Sequence, residues 1–226
     1  MKTETLPVRV IFRPIRFVLA GIVLLLLWIL TDIYIPIQNN IRNFEATEVA
    51  RLDTEMWRSY YDRKPVVLFN QLAELMRKQF HAPFFRSYLM AYQAAKAAFV
   101  FKDGENRSDY EKALPYLVDF YGNIELMSNE SFNVTAAARH ELEWWIIHRQ
   151  RANNQPGDLE TALAQTAESI YNQPASQFMA HARLRAQAMH IRDIKAVNGG
   201  VTESDWQEIS RLLMQSWDSF EKVVKR

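Results

Sequence analysis

FVLAGIVLLLLWILTDIYIPI, residues Phe17 to Ile37, is an apolar run of 21 residues that carries one charged side chain, Asp32. As an α-helix rising about 1.5 Å per residue it measures about 31 Å, enough to cross the core of a bilayer. Between Leu24 and Trp28 the run has no polar side, so a soluble core helix would need protein on every side. The run therefore predicts a transmembrane helix over residues 17–37.

Basic residues are more frequent before this run than after it. Four lie in the first 16 residues and two in the 20 residues after the run: Lys2, Arg9, Arg13 and Arg16, then Arg42 and Arg51. This bias favours a short cytoplasmic tail over residues 1–16 and an extracytoplasmic domain over residues 38–226, which would be periplasmic in a bacterium. A cleaved signal peptide is the alternative, but the following TDIYIPIQNN offers no small-residue cleavage site. An uncleaved single-pass anchor is the favoured interpretation.

The overall composition excludes several classes of function. The chain has 27 Lys and Arg against 26 Asp and Glu, and the residues after the basic tail have a net charge of −2. A domain this close to neutral is not expected to bind nucleic acid. The chain has no cysteine, which excludes disulfides, thiolate metal sites and thiol catalysis. Only six glycines and few alternating apolar and polar runs predict an all-α fold.

Prolines, glycines and capping signals divide the domain after the anchor into eight predicted helices. Pro65, Pro83 and Pro174 each suit a helix start, and capping boxes are predicted at 108–111 and 202–205. The helices are predicted over residues 40–63, 65–80, 83–102, 108–125, 133–151, 158–172, 174–197 and from 202 onward. Short connections between them predict about four antiparallel hairpins.

The second helices of these hairpins resemble one another. SDYEKALPYLVDFYGNIE, from Ser108 to Glu125, aligns without gaps on SDWQEISRLLMQSWDSFE, from Ser204 to Glu221. The spacing between such helices is about 43 to 49 residues, which is typical of stacked helical hairpins. Residues 40–226 therefore resemble the tetratricopeptide class or a related α-solenoid, although the 34-residue period and the W-x2-L-G-x2-Y consensus are absent. An open solenoid and a closed bundle both fit the pattern.

This resemblance implies a protein that binds other proteins. Stacked hairpins supply a concave helical surface, and the architecture is similar to that of bacterial single-pass proteins with periplasmic tetratricopeptide domains, which accompany the secretion translocon. The sequence therefore predicts a non-catalytic scaffold or accessory subunit for a membrane or periplasmic protein complex, with no cofactor. The predicted binding residues are Glu55, Arg58, Trp145, His148 and Arg149.

The alternative is a membrane-tethered metalloenzyme built on carboxylates and histidine. Glu48, Glu55, Glu141 and His148 would have to converge inside a helical bundle to hold a metal. The di-iron pattern needs Glu-x-x-His twice, and the chain contains neither this motif, nor His-Glu-x-x-His, nor a G-x-S-x-G nucleophile motif. An enzyme is therefore the less favoured interpretation.

Overall fold

A computed structural model describes residues 9–225, with the side chains described from residue 15 onward. The first helix, α1, spans Arg9–Tyr34. Within it, Ile15–Tyr34 has a mean hydropathy of 2.4 and is long and apolar enough to cross a membrane, although a signal sequence at the N-terminus would share these properties. The helix ends at Tyr34 rather than at the predicted Ile37, because Pro36 cannot donate a backbone hydrogen bond and disfavours helix in the residue before it.

The chain divides into two compact units after Ile35, and the second unit is helical. Its helices are α2 (Ala46–Tyr61), α3 (Pro65–Phe80), α4 (Phe84–Lys102), α5 (Arg107–Tyr110), α6 (Leu114–Met127), α7 (Val134–Arg149), α8 (Asp158–Tyr171), α9 (Ala175–Val197) and α10 (Glu203–Val224). Short 3-10 turns cover Glu111–Ala113 and Arg151–Asn153. Residues 9–225 contain no β-strand, only one bridge between Asn39 and Ser128. The all-α prediction is confirmed.

Most helix starts lie where local chemistry predicts them. Pro65 occupies the first turn of α3, the side chain of Asn133 accepts a hydrogen bond from the amide of Ala136 at the start of α7, and Thr202 forms a capping box with Asp205 at the start of α10. These side chains satisfy amides that have no partner within the helix.

Two predicted boundaries are wrong. Asn106, not Ser108, caps the helix that follows it, since its side chain accepts from the amide of Asp109. That helix is then interrupted before α6, because Pro115 in the first turn of α6 has no amide hydrogen to continue the ladder. The predicted helix over 40–63 begins only at Ala46, and the residues before it form an irregular segment.

The helices of the second unit form a closed arrangement. Each long helix packs against the next one along the chain, and α10 packs against α2. The closing pair is antiparallel, because the amide of Ala46 at the start of α2 donates to Glu221 near the end of α10, while Arg58 near the end of α2 pairs with Glu203 at the start of α10. A solenoid leaves its terminal repeats unpaired with each other, so the predicted tetratricopeptide-like arrangement is not confirmed.

One end of this arrangement is filled by residues 37–45, the entry segment, through which the chain arrives from α1. The amide group of Asn39 donates to the carbonyls of Phe80 and His81 at 3.1 and 2.9 Å. Arg42 donates to the carbonyls of Tyr171 and Val224 at 2.6 and 3.3 Å. These carbonyls belong to the C-terminal turns of α3, α8 and α10, which lack partners within their own helices. The entry segment thus satisfies helix ends that would otherwise be unpaired.

The core is continuous from this segment through the bundle. Ile41 and Phe44 of the entry segment are buried with Tyr171, Phe178 and Phe220 in one cluster, and the ring of Phe220 lies 5.1 Å from that of Phe178 and 5.2 Å from that of Tyr171. A smaller cluster surrounds Ile209 and Leu213 on α10. We call the end with the entry segment the entry end, and the opposite end, where α2, α4, α7 and α9 terminate, the far end.

Candidate functional site

Charged side chains on α2 form a network that joins this helix to α3. Arg51 pairs with Glu48 at 2.9 Å and with Glu55 at 2.6 Å, one turn away on each side. It also lies 3.8 Å from Glu74 on α3, and Lys78 of α3 lies 3.8 Å from Glu48. Such half-exposed pairs each contribute little to stability. Glu55, a predicted binding residue, is therefore half-exposed, and its carboxylate is paired with Arg51.

Arg58, the second predicted binding residue on α2, contacts α10 instead. Its guanidinium forms an ion pair with Glu203 and lies 5.8 Å from the centre of the Trp206 ring. The side chains of Arg58 and Glu203 are each about half exposed. This pair marks the closure of α2 on α10 at the far end.

Trp145 on α7, another predicted binding residue, is half-buried. Its indole nitrogen donates to Glu141 at 2.9 Å, and its ring packs edge-on against Phe101 with 5.3 Å between centroids. The other carboxylate oxygen of Glu141 accepts from the hydroxyl of Tyr121 at 2.9 Å. Burial, reinforced by the nearby carboxylate, raises the pKa of Tyr121 well above its ordinary value. Trp145 is thus part of the packing between α7 and α4.

His148 and Arg149 lie at the far end, where α7 terminates. Arg149 donates to the carbonyl of Lys102 at 3.2 Å. The Nε2 atom of His148 lies 3.0 Å from Asp193 on α9, and the same carboxylate accepts from Arg151 at 2.9 Å and from Arg192 at 3.0 Å. Sequence reasoning missed Asp193, because its partners are up to 45 residues away along the chain.

This cluster around Asp193 holds the far end together. Asp193 is buried, and burial alone would raise the pKa of its carboxyl. The hydrogen bond and charge of His148, with Arg192 and Arg151, outweigh burial and keep that pKa below its ordinary value. The Arg192 guanidinium also lies 3.2 Å from the centre of the Tyr61 ring. The cluster therefore ties α7 and α9 to the end of α2.

The four residues of the metalloenzyme alternative do not form one group. Glu48 and Glu55 share Arg51 on α2, whereas Glu141 is bonded to Tyr121 and Trp145, and His148 to Asp193. In the described part of the chain, no group of three or more His, Asp or Glu side chains could hold a metal ion.

A second polar cluster lies inside the bundle and was not predicted from the sequence. Asp53 on α2 is 3% exposed, forms an ion pair with Arg185 on α9, and accepts from the indole nitrogen of Trp217 on α10 at 2.8 Å. Beside it, the hydroxyl of Ser216 donates to the carbonyl of His181 at 2.9 Å and lies 2.8 Å from the Nδ1 atom of its ring. Burial lowers the pKa of His181 to about 3. Since both side chains of this serine–histidine contact are buried, it stabilises the packing of α9 on α10.

One side of α4 presents aromatic rings to solvent. Phe84, Tyr92 and Phe99 are 50%, 56% and 58% exposed, and Tyr88 lies between the first two. At about 100° per residue these four fall within an arc of about 80° on one side of the helix. With Lys96 they define what we call the α4 face.

Residues of α3 border the α4 face. The guanidinium of Arg77 lies 5.7 Å from the centre of the Phe84 ring and 5.6 Å from that of Tyr88. The Tyr88 ring packs 5.8 Å from Phe69, and its hydroxyl donates to the side chain of Asn70 at 3.1 Å. Two helices therefore hold these rings in place while one side of the rings stays open.

Comparison with known proteins adds no assignment to this geometry. No protein-family model matches the chain, no curated protein matches its sequence, and no solved structure matches its fold. Function is therefore argued from the surfaces described above.

Proposed function

We propose that this protein is a membrane-anchored, non-catalytic scaffold or accessory subunit whose helical domain binds a protein partner in a membrane complex. The observation that supports the proposal best is the exposed apolar surface at the far end. Tyr60, Ile194 and Val197 are all exposed there, Val197 to 77%. The ends of α2 and α9 that carry them lie side by side, since Arg192 packs on Tyr61. Exposed apolar patches are typical of protein interaction sites.

Charged pairs lie next to these apolar side chains. Arg58 and Glu203 pair across α2 and α10, and Lys195 pairs with Asp205 at 2.9 Å between α9 and α10. An apolar centre with a polar rim is the usual anatomy of a protein–protein interface. Of the residues predicted from the sequence, Arg58, His148 and Arg149 belong to this end. The partner we propose is therefore an extramembrane segment of another protein, with an apolar anchor and mixed charge.

The anchor supports the same proposal. Ile15–Tyr34 is long and apolar enough to hold the chain in a bilayer, and confinement to a membrane raises the effective concentration of membrane partners. From the distribution of basic residues we propose that the N-terminus is cytoplasmic and that the helical domain is extracytoplasmic.

The test is the size of the complex in membranes of the source cells. The full chain is extracted in mild detergent and its complex is sized by native electrophoresis, alongside I194D/V197D and the matched control Q187D, which changes an exposed residue of α9. We expect the wild type and Q187D to migrate as one larger complex and I194D/V197D to migrate as the free chain with an unchanged circular dichroism spectrum. Migration of all three variants at the same size would contradict the proposal.

A further inference from the structure

We propose that the α4 face binds the anionic lipid surface of a membrane. This inference uses a surface separate from the far-end contacts of the proposed function and goes beyond it. Phe84, Tyr92 and Phe99 expose at least half of their surface on this face. From Phe84 to Phe99 the face extends about 22 Å along the helix.

Its composition is that of a helix lying at a membrane interface. Aromatic rings seat at the level of lipid headgroups, and Lys and Arg beside them interact with lipid phosphates. On α4, exposed Lys96 lies at the edge of the rings, with its ammonium 5.9 Å from the centre of the Tyr116 ring on α6, and Lys102 follows one turn after Phe99. On α3, Arg77 covers Phe84 and Tyr88 from the side. Rings and cations therefore share one surface.

Charge is concentrated on this hairpin. Residues 62–103 carry seven Lys or Arg and three acidic residues, Asp62, Glu74 and Asp103, a net charge of +4. Arg86 is buried, which leaves +3 at the surface, whereas residues 36–226 together have a net charge of −1. The rest of the domain is accordingly acidic. An anionic surface would attract the α3–α4 hairpin and repel the remainder, so electrostatics alone orients the domain.

The same charge argues against a second copy of the chain as the occupant, because two α4 faces would bring like charges together. A membrane surface, in contrast, is always close to the domain if the apolar segment Ile15–Tyr34 of the same chain spans a bilayer. Both the apolar and the cationic side chains of the α4 face therefore match an anionic lipid surface.

The experiment exploits the absence of cysteine from the chain. The full-length variants Y92C and Q187C are each labelled with a polarity-sensitive fluorophore and reconstituted in nanodiscs of zwitterionic lipid or of lipid containing phosphatidylglycerol. Gln187 is an exposed residue of α9 and serves as the matched control. Quenching by spin-labelled lipid reports contact with the bilayer.

We expect the Y92C label to shift to the blue and to be quenched in anionic discs, and the Q187C label to stay solvent-like. Raising the salt from about 0.1 M to about 1 M shortens the Debye length from about 10 Å to about 3 Å and should reduce the quenching. Adding K96E/K102E to Y92C should abolish the difference in quenching between anionic and zwitterionic discs. The control R183E/K222E changes the net charge by the same amount on α9 and α10 and should leave that difference unchanged. Circular dichroism of each variant confirms the fold.

Two results would overturn the proposal. Equal, solvent-like labels at both positions in anionic discs would show that the face does not contact lipid. The second result is a Y92C label that shifts to the blue in membranes of the source cells but in discs of no lipid composition. It would assign the face to a protein partner instead.

Discussion

Replacing Asp53 with alanine should destabilise the helical domain more than any change on its surface. Asp53 is 3% exposed and accepts hydrogen bonds from Arg185 on α9 and Trp217 on α10. Its removal leaves a guanidinium that is largely buried without its anion, and removing one partner of a buried ion pair costs about 3–5 kcal/mol. We therefore expect D53A to lose about 4 kcal/mol of the free energy of unfolding.

This loss can be measured by urea and thermal unfolding of the full chain in detergent, followed by circular dichroism. For a domain of this size, about 1 kcal/mol shifts the melting temperature by about 2–4 °C, so D53A should melt about 8–16 °C lower. The control is D218A, which removes an exposed pair with Lys222 on α10 and should leave the transition unchanged.

The double variant D53A/R185M distinguishes the cost of an unpaired buried charge from the cost of lost packing. Because methionine removes the unpaired charge while keeping apolar volume, the double variant should be more stable than D53A alone. A loss below about 1 kcal/mol in D53A, or additive losses in the double variant, would refute the reasoning that a buried charge contact ties α2 to α9 and α10.

Three further predictions concern the entry end, a helix cap and pH. R42A should lose about 2 kcal/mol in urea unfolding, because charge-assisted hydrogen bonds to helix-end carbonyls disappear, and R42K should recover only part of it; an unchanged midpoint in R42A would contradict this role. N106A should cost about 1 kcal/mol and S108A almost nothing, since Asn106 is the helix cap, and the reverse order would restore the sequence-based assignment. Burial lowers the pKa of His181 to about 3, so the unfolded chain takes up the proton first as the pH falls. Stability should decrease by up to about 1.4 kcal/mol per pH unit between pH 6 and 4, and H181Q should reduce that slope.

Local signals in the sequence were sufficient for most helix boundaries. Pro65, Asn133 and Thr202 act through contacts within their own first turn, so their effect does not depend on the rest of the fold. The entry segment is different. Asn39 and Arg42 are held by carbonyls 41 and 129 residues away, and these tertiary bonds override a pattern that locally favours helix. Ring closure by α10 on α2 is equally non-local.

The candidate binding residues were predictable only in part. Trp145 was predicted as a binding residue. Glu141, four residues earlier, is a local partner for its indole, whereas the packing of Phe101 from α4 could not be inferred from the sequence. The α4 face did leave a signal, because Phe84, Tyr88, Tyr92 and Phe99 recur at helical spacing. The opposite, buried side of α4 combines small or apolar residues with polar ones: Met90, Ala91 and Ala97 with Arg86, Ser87 and Gln93. From the sequence, the aromatic side would have been assigned to the core.

The internal bonding of the bundle decides which surfaces remain available for function. At the entry end, the side chains of Asn39 and Arg42 donate to backbone carbonyls of three neighbouring helices. Their polar groups are therefore used within the fold. At the far end, the carboxylate of Asp193 is bonded to His148, Arg151 and Arg192 and is likewise used within the fold. Exposed apolar side chains remain in two places: Val197 and its neighbours at the far end, and Phe84, Tyr92 and Phe99 along α4. Because these two surfaces lie on different helices, variants of one should leave the other intact. The protein-binding and lipid-binding proposals can therefore be tested separately in the same chain.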